Sequence, residues 1–298
     1  MAPIENSLPD NLTLKILSEA ERGGYGVIGQ CCYDLQSVLA TVKAAENLRA
    51  PAMILLFPVT VRQFGKAFLR CVLEVAHGAS VPISVHLDHA ADDQDIDMAL
   101  TFAEQGVAFD SIMIDCSHAE TDEENIALAK PHVQRAIRCG VAVEVELGRL
   151  AGGEAGVRVI EKGMLTSPEK AVSFLSALGA HMLAPSIGNI HGRYMSPPNF
   201  DQEILRSLQK TVGPSSQSGS YMVLHGTDDL PDELFQECIR NGMRKINMNS
   251  WSRDPMCSYW KDHLLQDGLP EVYEEGMKIY QSICERFIRL FGGEGKAF

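Results

Sequence analysis

Eight short runs of apolar, β-branched residues recur along the chain, with helical patterns between them. The runs are Tyr25–Gln30, Ala52–Phe57, Ile83–Leu87, Ser111–Asp115, Val141–Leu147, Met182–Ile187, Tyr221–Leu224 and Lys245–Met248. Each is mostly continuous in apolar character, as in parallel strands buried on both faces. Leu35–Asn47, Asp92–Glu104, Glu123–Arg138, Pro168–Leu178 and Pro231–Arg240 carry apolar residues at helical spacing. Ser167-Pro168-Glu169 reads as a helix start: a Ser cap, Pro at the first helical position and an acid in the first turn. Leu12–Arg22 and the long stretch from Ser250 to Leu290 add helices at the two ends. The alternation predicts an α/β fold, a (β/α)8 TIM barrel with additional N- and C-terminal helices, as one domain over residues 1–298. A doubly wound sheet is the rival. No Gly-x-Gly-x-x-Gly follows the first run, so its usual dinucleotide has no seat. Pro214–Ser220 reads as the clearest flexible loop.

Charge and composition narrow the partners. The net charge of −13 argues against nucleic acid or an anionic membrane surface, since both need a basic face. It also means that backbone N–H groups would do much of the work of holding any phosphate. No run of about 18 or more apolar residues is present, and Met1 to Asp10 has no basic region followed by an apolar one. The eight cysteines include no Cys-x-x-Cys pair and lie mostly in apolar runs. Together these predict a cytoplasmic protein with reduced, mostly buried thiols.

Barrel chemistry sits where strands end, so the polar residues at those ends matter most. The third run ends His86-Leu87-Asp88-His89, and the fourth ends Asp115-Cys116-Ser117-His118. The fifth carries Glu144 and Glu146, two carboxylates on one face because the strand period is two. The sixth ends Gly188-Asn189-Ile190-His191-Gly192, the seventh His225-Gly226-Thr227-Asp228, and the eighth Asn247-Met248-Asn249-Ser250. His89, His191 and His225 thus follow three separate strands. Three neutral imidazoles suit zinc and leave a fourth position open for substrate. The alternative is that each satisfies hydrogen bonds at the barrel rim. His86 and His118 are weaker candidates, more in keeping with structural or supporting positions. Gly192 and Gly226 let backbone approach a ligand, and their N–H groups, with those of Asn247–Ser250, could cradle an anion. The alternative is an ordinary glycine turn. Gly152-Gly153-Glu154 presents one carboxylate on a glycine-rich loop, which could deliver a base and cover the site.

Taken together these strand ends resemble the class II, metal-dependent fructose-bisphosphate aldolases and their tagatose-bisphosphate relatives. The matching stretches run from His86-Leu87-Asp88-His89 to Lys245-Ile246-Asn247 in the family's order and span nearly the whole chain. The resemblance implies Asp88 as catalytic acid/base and His89, His191 and His225 as ligands of one Zn2+. It places Glu146 in the metal's surroundings, as a ligand when the metal leaves its working position. It implies Gly192, Gly226 and Asn247 at the phosphate, with Thr227, Asp228, Asn249 and Ser250 on the same rim. A monovalent cation, K+ or Na+, is implied near the phosphate loops, as is a homodimer or homotetramer. The implied reaction cleaves a ketose 1,6-bisphosphate, fructose 1,6-bisphosphate first, into dihydroxyacetone phosphate and glyceraldehyde 3-phosphate. Glu154 would move the proton on the three-carbon half.

The chain also departs from the family's pattern. Relatives often carry an acidic pair after Gly-Gly, but here Glu154 is followed by Ala155 and Gly156. The second run ends Phe57-Pro58-Val59-Thr60, where a hydroxyl residue or glycines would face substrate, and Thr60 is the available substitute. Asp228 stands where a relative can place Ser; its carboxylate would repel a phosphate or cap the next helix. Cys31 and Pro185 are further departures. Two other readings therefore stay open: an altered family member that binds a sugar phosphate, and a metal-dependent barrel hydrolase.

Overall fold

The computed structural model describes residues 8–153, 163–216 and 218–298. Its strands are β1 (Val27–Cys31), β2 (Ala52–Leu56), β3 (Ile83–Ala90), β4 (Ser111–Ile114), β5 (Ala142–Leu147), β6 (Ala151–Gly152), β7 (Met182–Pro185), β8 (Ile190–His191), β9 (Tyr221–Leu224) and β10 (Met243–Met248). Eight of them close a parallel barrel in the order β1-β10-β9-β7-β5-β4-β3-β2, while β6 and β8 pair as a separate ribbon. Its helices are α1 (Leu12–Gly23), α2 (Leu35–Asn47), α3 (Pro58–His77), α4 (Asp93–Glu104), α5 (Asp122–Arg138), α6 (Pro168–Leu178), α7 (Gln202–Thr211), α8 (Asp232–Arg240), α9 (Ser250–His263) and α10 (Leu269–Leu290). The expected barrel and its terminal helices are therefore present.

Each of the eight apolar runs became a barrel strand because both of its faces are covered. The outward faces meet the helix ring in one large cluster that includes Ile54, Val85, Ile112, Val145 and Ile246. The inward faces form a second cluster, with Val27, Met53, Leu55, Met113, Met182 and Val223, closed at one end by Leu14 and Leu17 of α1. Fully burying one such side chain stabilises by roughly 1.5–3 kcal/mol. Asn11 caps α1 and donates through Nδ2 to the carbonyls of Asp110 and Gly140, at 2.7 and 3.0 Å, which fixes that helix across the barrel's floor. The inner face changes character toward the strands' C-terminal ends, where His86, Asp88, Glu144, Glu146, Lys245 and Asn247 replace the aliphatic residues, all of them buried.

Some expectations need correction. The stretch before the seventh run, read as a flexible loop, ends in residues packed against the barrel. Ser218 and Ser220 are buried, Ser220 N donates to Val212 O at 3.0 Å, and Ser220 Oγ donates to Ala180 O at 3.2 Å. Its Ser and Gly content reflects a tight, polar return to the barrel. The sixth run was expected to reach Ile187, but β7 ends at Pro185, whose missing N–H ends the ladder. Helices α3 and α7 were not singled out in the sequence. Pro58 starts α3 at a position that Pro favours, although Phe57 offers no side-chain cap. The eight cysteines form no disulfide, and five of them, Cys31, Cys32, Cys116, Cys238 and Cys284, are buried. Among the described residues no helix is long and apolar enough to cross a membrane.

Candidate active site

An irregularity in β3 begins the site. Asp88 and His89 are adjacent, so a regular strand would send their side chains to opposite faces. Instead, the β3–β4 register shifts between Leu87 and Ala90, and His89 takes φ 50. A left-handed conformation costs a non-glycine residue roughly 1–2 kcal/mol, and such strain concentrates at functional sites. Its effect is that both side chains reach one cluster. Asn247 Nδ2 donates to both Asp88 carboxylate oxygens at 3.1 Å, and His89 Nε2 lies 2.9 Å from His225 Nδ1.

The other two histidines arrive separately. His225 follows β9 directly. His191 sits on the ribbon strand β8, in register with Gly152 of β6. Gly152 has φ 95, and a methyl group there would lie 1.9 Å from the His191 carbonyl oxygen, so only glycine allows this pairing. Asn189 braces the same turn, donating to His225 O at 2.9 Å and accepting from Ile187 N at 2.8 Å. One ring nitrogen from each of His89, His191 and His225 lies within 4.8 Å of the others.

Carboxylates orient two of the rings. His89 Nδ1 lies 2.9 Å from Asp115 Oδ2, and Asp115 is held by the Ser117 N–H and hydroxyl at 3.1 and 2.7 Å. His225 Nε2 lies 2.7 Å from Glu144 Oε1. His89 Nε2 and His225 Nδ1 are thereby turned toward each other, while His191 Nε2 is buried with no partner among the described residues. Such a donor set fits a zinc-type divalent ion: three imidazoles, each held by a carboxylate or a backbone turn behind it, with any ring proton on the inward nitrogen given up to the ion. Glu146 stands beside it, grouped with His89 and Asp115 within 4.8 Å, and its Oε2 is also buried without a partner.

The electrostatics follow from burial and four neighbouring acids. Burial alone would raise the Asp88 carboxyl, but the Lys245 ammonium, then His89, hold it well below the usual carboxylate range. Burial would lower the His89 imidazole, yet the Asp88 charge and the Asp115 hydrogen bond push it up to about 10. Burial, then the Asp115 charge, push Glu146 up to about 8. His191 is held well below the ordinary imidazole value, first by burial and then by the neighbouring His89 and His225. The site thus keeps Asp88 ionised and His191 neutral.

The expected anion cradle is only partly assembled as the sequence implied. Gly192 and Gly226 have φ 93 and 67, the left-handed backbone that glycine permits. A cleft of about 470 Å³ is lined by Gly192, Asp228, Asn249 and Ser250 from the expected set, together with Arg193 and Arg253. Gly226, Thr227 and Asn247 are not on that lining. The Thr227 hydroxyl donates to Asn247 O at 2.6 Å, and the Asn247 amide points to Asp88. Asp228 is bound by the hydroxyl of Ser250, the first residue of α9, so its carboxylate meets that helix and not the next one. Phe57 is buried against the Tyr33 ring, 5.9 Å between centroids, and Tyr33 Oη donates to Asn249 Oδ1 at 2.8 Å. Thr60 is buried in the first turn of α3. His118 is exposed, whereas His86 is buried at 3.6 Å from both Asp88 and Glu144. Glu154 lies outside the described residues. Strand-end positions alone gave no role to Asp115, Glu144 or Lys245, which the structure brings against His89, His225 and Glu144 respectively. A lysine opening an otherwise apolar run was the available signal for the last.

Comparison with known proteins agrees with this geometry over nearly the full length. Residues 11–296 match the family model described as fructose-bisphosphate aldolase class-II. A provisionally named fructose-bisphosphate aldolase of Coccidioides immitis (strain RS) is 35% identical over 297 residues, covering 98% of this chain and 96% of that protein. The fructose-bisphosphate aldolase of Thermus caldophilus is 38% identical over 226 residues, 75% of this chain and 70% of that protein. The crystal structure of a Coccidioides immitis chain, provisionally titled a fructose-1,6-bisphosphate aldolase, superposes with TM-score 0.91 at 34% identity, covering 97% of this chain and 99% of that one. Barrel, strand-end histidines and sequence likeness coincide across the same residues, and the chain belongs to the class II fructose-bisphosphate aldolase family.

Proposed function

We propose that this chain is a zinc-dependent aldolase that reversibly cleaves fructose 1,6-bisphosphate into dihydroxyacetone phosphate and glyceraldehyde 3-phosphate. One observation carries the reading: three imidazoles with donor atoms within 4.8 Å of one another stand beside the buried Asp88 carboxyl. His89, His191 and His225 would hold the ion, with Glu146 as a further ligand when it shifts. When bound, the ion supplies Lewis acidity at the ketone of the three-carbon half. In cleavage, Asp88 accepts the proton of the C4 hydroxyl, C4 becomes the aldehyde carbon, and the C3–C4 electron pair passes to the three-carbon half. In synthesis, Asp88 returns that proton. Glu154 delivers the proton that completes dihydroxyacetone phosphate. Gly192 and Gly226, with Asn249 and Ser250 at the start of α9, receive the phosphate, and Thr227, Asp228 and Asn247 shape that rim. A K+ or Na+ ion beside the phosphate, a homodimer or homotetramer, a single domain over residues 1–298 and a cytoplasmic location complete the proposal.

The test is an assay of purified, zinc-loaded protein against a panel of ketose mono- and bisphosphates, run beside Asp88→Ala. The parent should cleave fructose 1,6-bisphosphate best. The variant should keep its metal and lose roughly 10²–10⁴ in rate, the usual worth of a general acid/base. Cleavage by Asp88→Ala at the parental rate would give Asp88 another role, and a parent inactive on the whole panel would refute the proposal.

A further inference from the structure

The barrel holds a buried cation that neither the histidines nor the acid/base residue explains. Lys245 lies within β10 at 0% exposure, and among the described residues it is the only fully buried lysine or arginine. Its Nζ is 2.8 Å from Glu144 Oε2 and 3.9 Å from Asp88 Oδ1. Its register neighbours on the flanking strands are Val27 and Val223, so the stem of the side chain lies between apolar residues. A methionine would fill that layer without desolvating a charge. Exchanging a buried ion pair for apolar groups of similar volume is often neutral or stabilising, so packing alone does not account for the ammonium.

What the ammonium touches does account for it. Asp88 and Glu144 converge: His86 Nε2 lies 3.6 Å from an oxygen of each. Two carboxylates brought this close repel unless a cation compensates them. Glu144 in turn orients the His225 ring at 2.7 Å. Asp88 has the two Asn247 bonds at 3.1 Å as its other firm restraint.

We propose that Lys245 is a positioning residue: it compensates the converging Asp88 and Glu144 carboxylates and so holds Asp88, the reacting base, in place. This rests on the aldolase reading of the site. Lys245 is not on the lining of the open cleft, and the charged groups it meets are Asp88 and Glu144, so it acts through these two partners.

The decisive variant is the double exchange Lys245→Met, Glu144→Gln. It removes one buried charge of each sign, so the net buried charge is unchanged and the variant should fold where Lys245→Met alone need not; the new amide oxygen can still accept from His225, and Asp88 keeps its Asn247 bonds. Metal content, binding of dihydroxyacetone phosphate by calorimetry, and kcat and KM for fructose 1,6-bisphosphate are measured beside the parent, and the variant's crystal structure is solved. Metal content, binding and KM should stay near parental values, while kcat falls by about 10²–10⁴-fold, as for a misplaced base. Asp88 should leave its parental rotamer. A kcat near that of the parent, or an Asp88 that has not moved, would overturn the proposal and make the pair a packing feature. A parent that does not cleave the substrate would refute the aldolase reading instead, and the position of Asp88 in the variant would still decide the role of Lys245.

Discussion

Replacing Gly226 by alanine tests how backbone contacts hold His191. The added methyl group would lie 2.2 Å from the Ile190 carbonyl oxygen and 2.8 Å from its carbon. Neither atom can escape by a rotamer change, because both belong to backbone. Ordinary contact starts near 3.4 Å, so the two segments must separate by about 1 Å, a displacement that at a reacting centre costs on the order of 10² in rate. Gly226 also has φ 67, where an L-residue costs roughly 1–2 kcal/mol. The strain cannot dissipate locally. Tyr194 Oη accepts from Ile190 N at 3.0 Å and donates to Gly226 O at 2.7 Å, and Ile190 pairs with Ala151 in the ribbon that carries His191. Gly226→Ala should therefore fold, melt lower by roughly 2–8 °C, bind zinc more weakly and lose about 10² in kcat/KM. The assays are competition for zinc against a chromophoric chelator and a coupled measurement of triose phosphate release. Unchanged zinc affinity together with unchanged kcat/KM would refute the argument that this contact positions His191.

Two further outcomes are expected. The His191→Ala, His225→Ala double variant should drop from about one divalent ion per chain to almost none, because a three-ligand site does not survive on His89 alone; full retention after gentle purification would rule out this site. Glu154→Ala should lose most of the exchange of the dihydroxyacetone phosphate C–H with heavy water while keeping its metal and phosphate binding. A parent that is metal-loaded, binds the three-carbon phosphate and yet gives no exchange would show that one loop acid is insufficient.

The sequence by itself determined the barrel, since eight apolar runs at regular intervals have few ways to bury both faces. It also singled out the three histidines, because each follows a strand where a barrel gathers its chemistry, while Asp88 was marked by the family resemblance of the His86–His89 stretch. Boundaries were read well where local signals were strong, as at Leu35–Asn47, Pro168–Leu178 and Tyr221–Leu224. Long-range contacts decided the rest. That Asp88 and His89 share a site depends on a register shift against β4, which no local pattern encodes. The choice of Asp115 to orient His89 and of Glu144 to orient His225 depends on neighbouring strands and on closure of the barrel. The Asn247 amide, expected at the phosphate, meets Asp88 from a strand 159 residues away in sequence. Lys245 enters the sequence only as the first residue of the eighth run and of its family-like stretch, and only the closed barrel shows which carboxylates it compensates. A strand's side-chain alternation is a property of the local backbone. The partner of a buried charge is set by whatever the fold brings within about 4 Å, the range over which desolvated charges interact strongly.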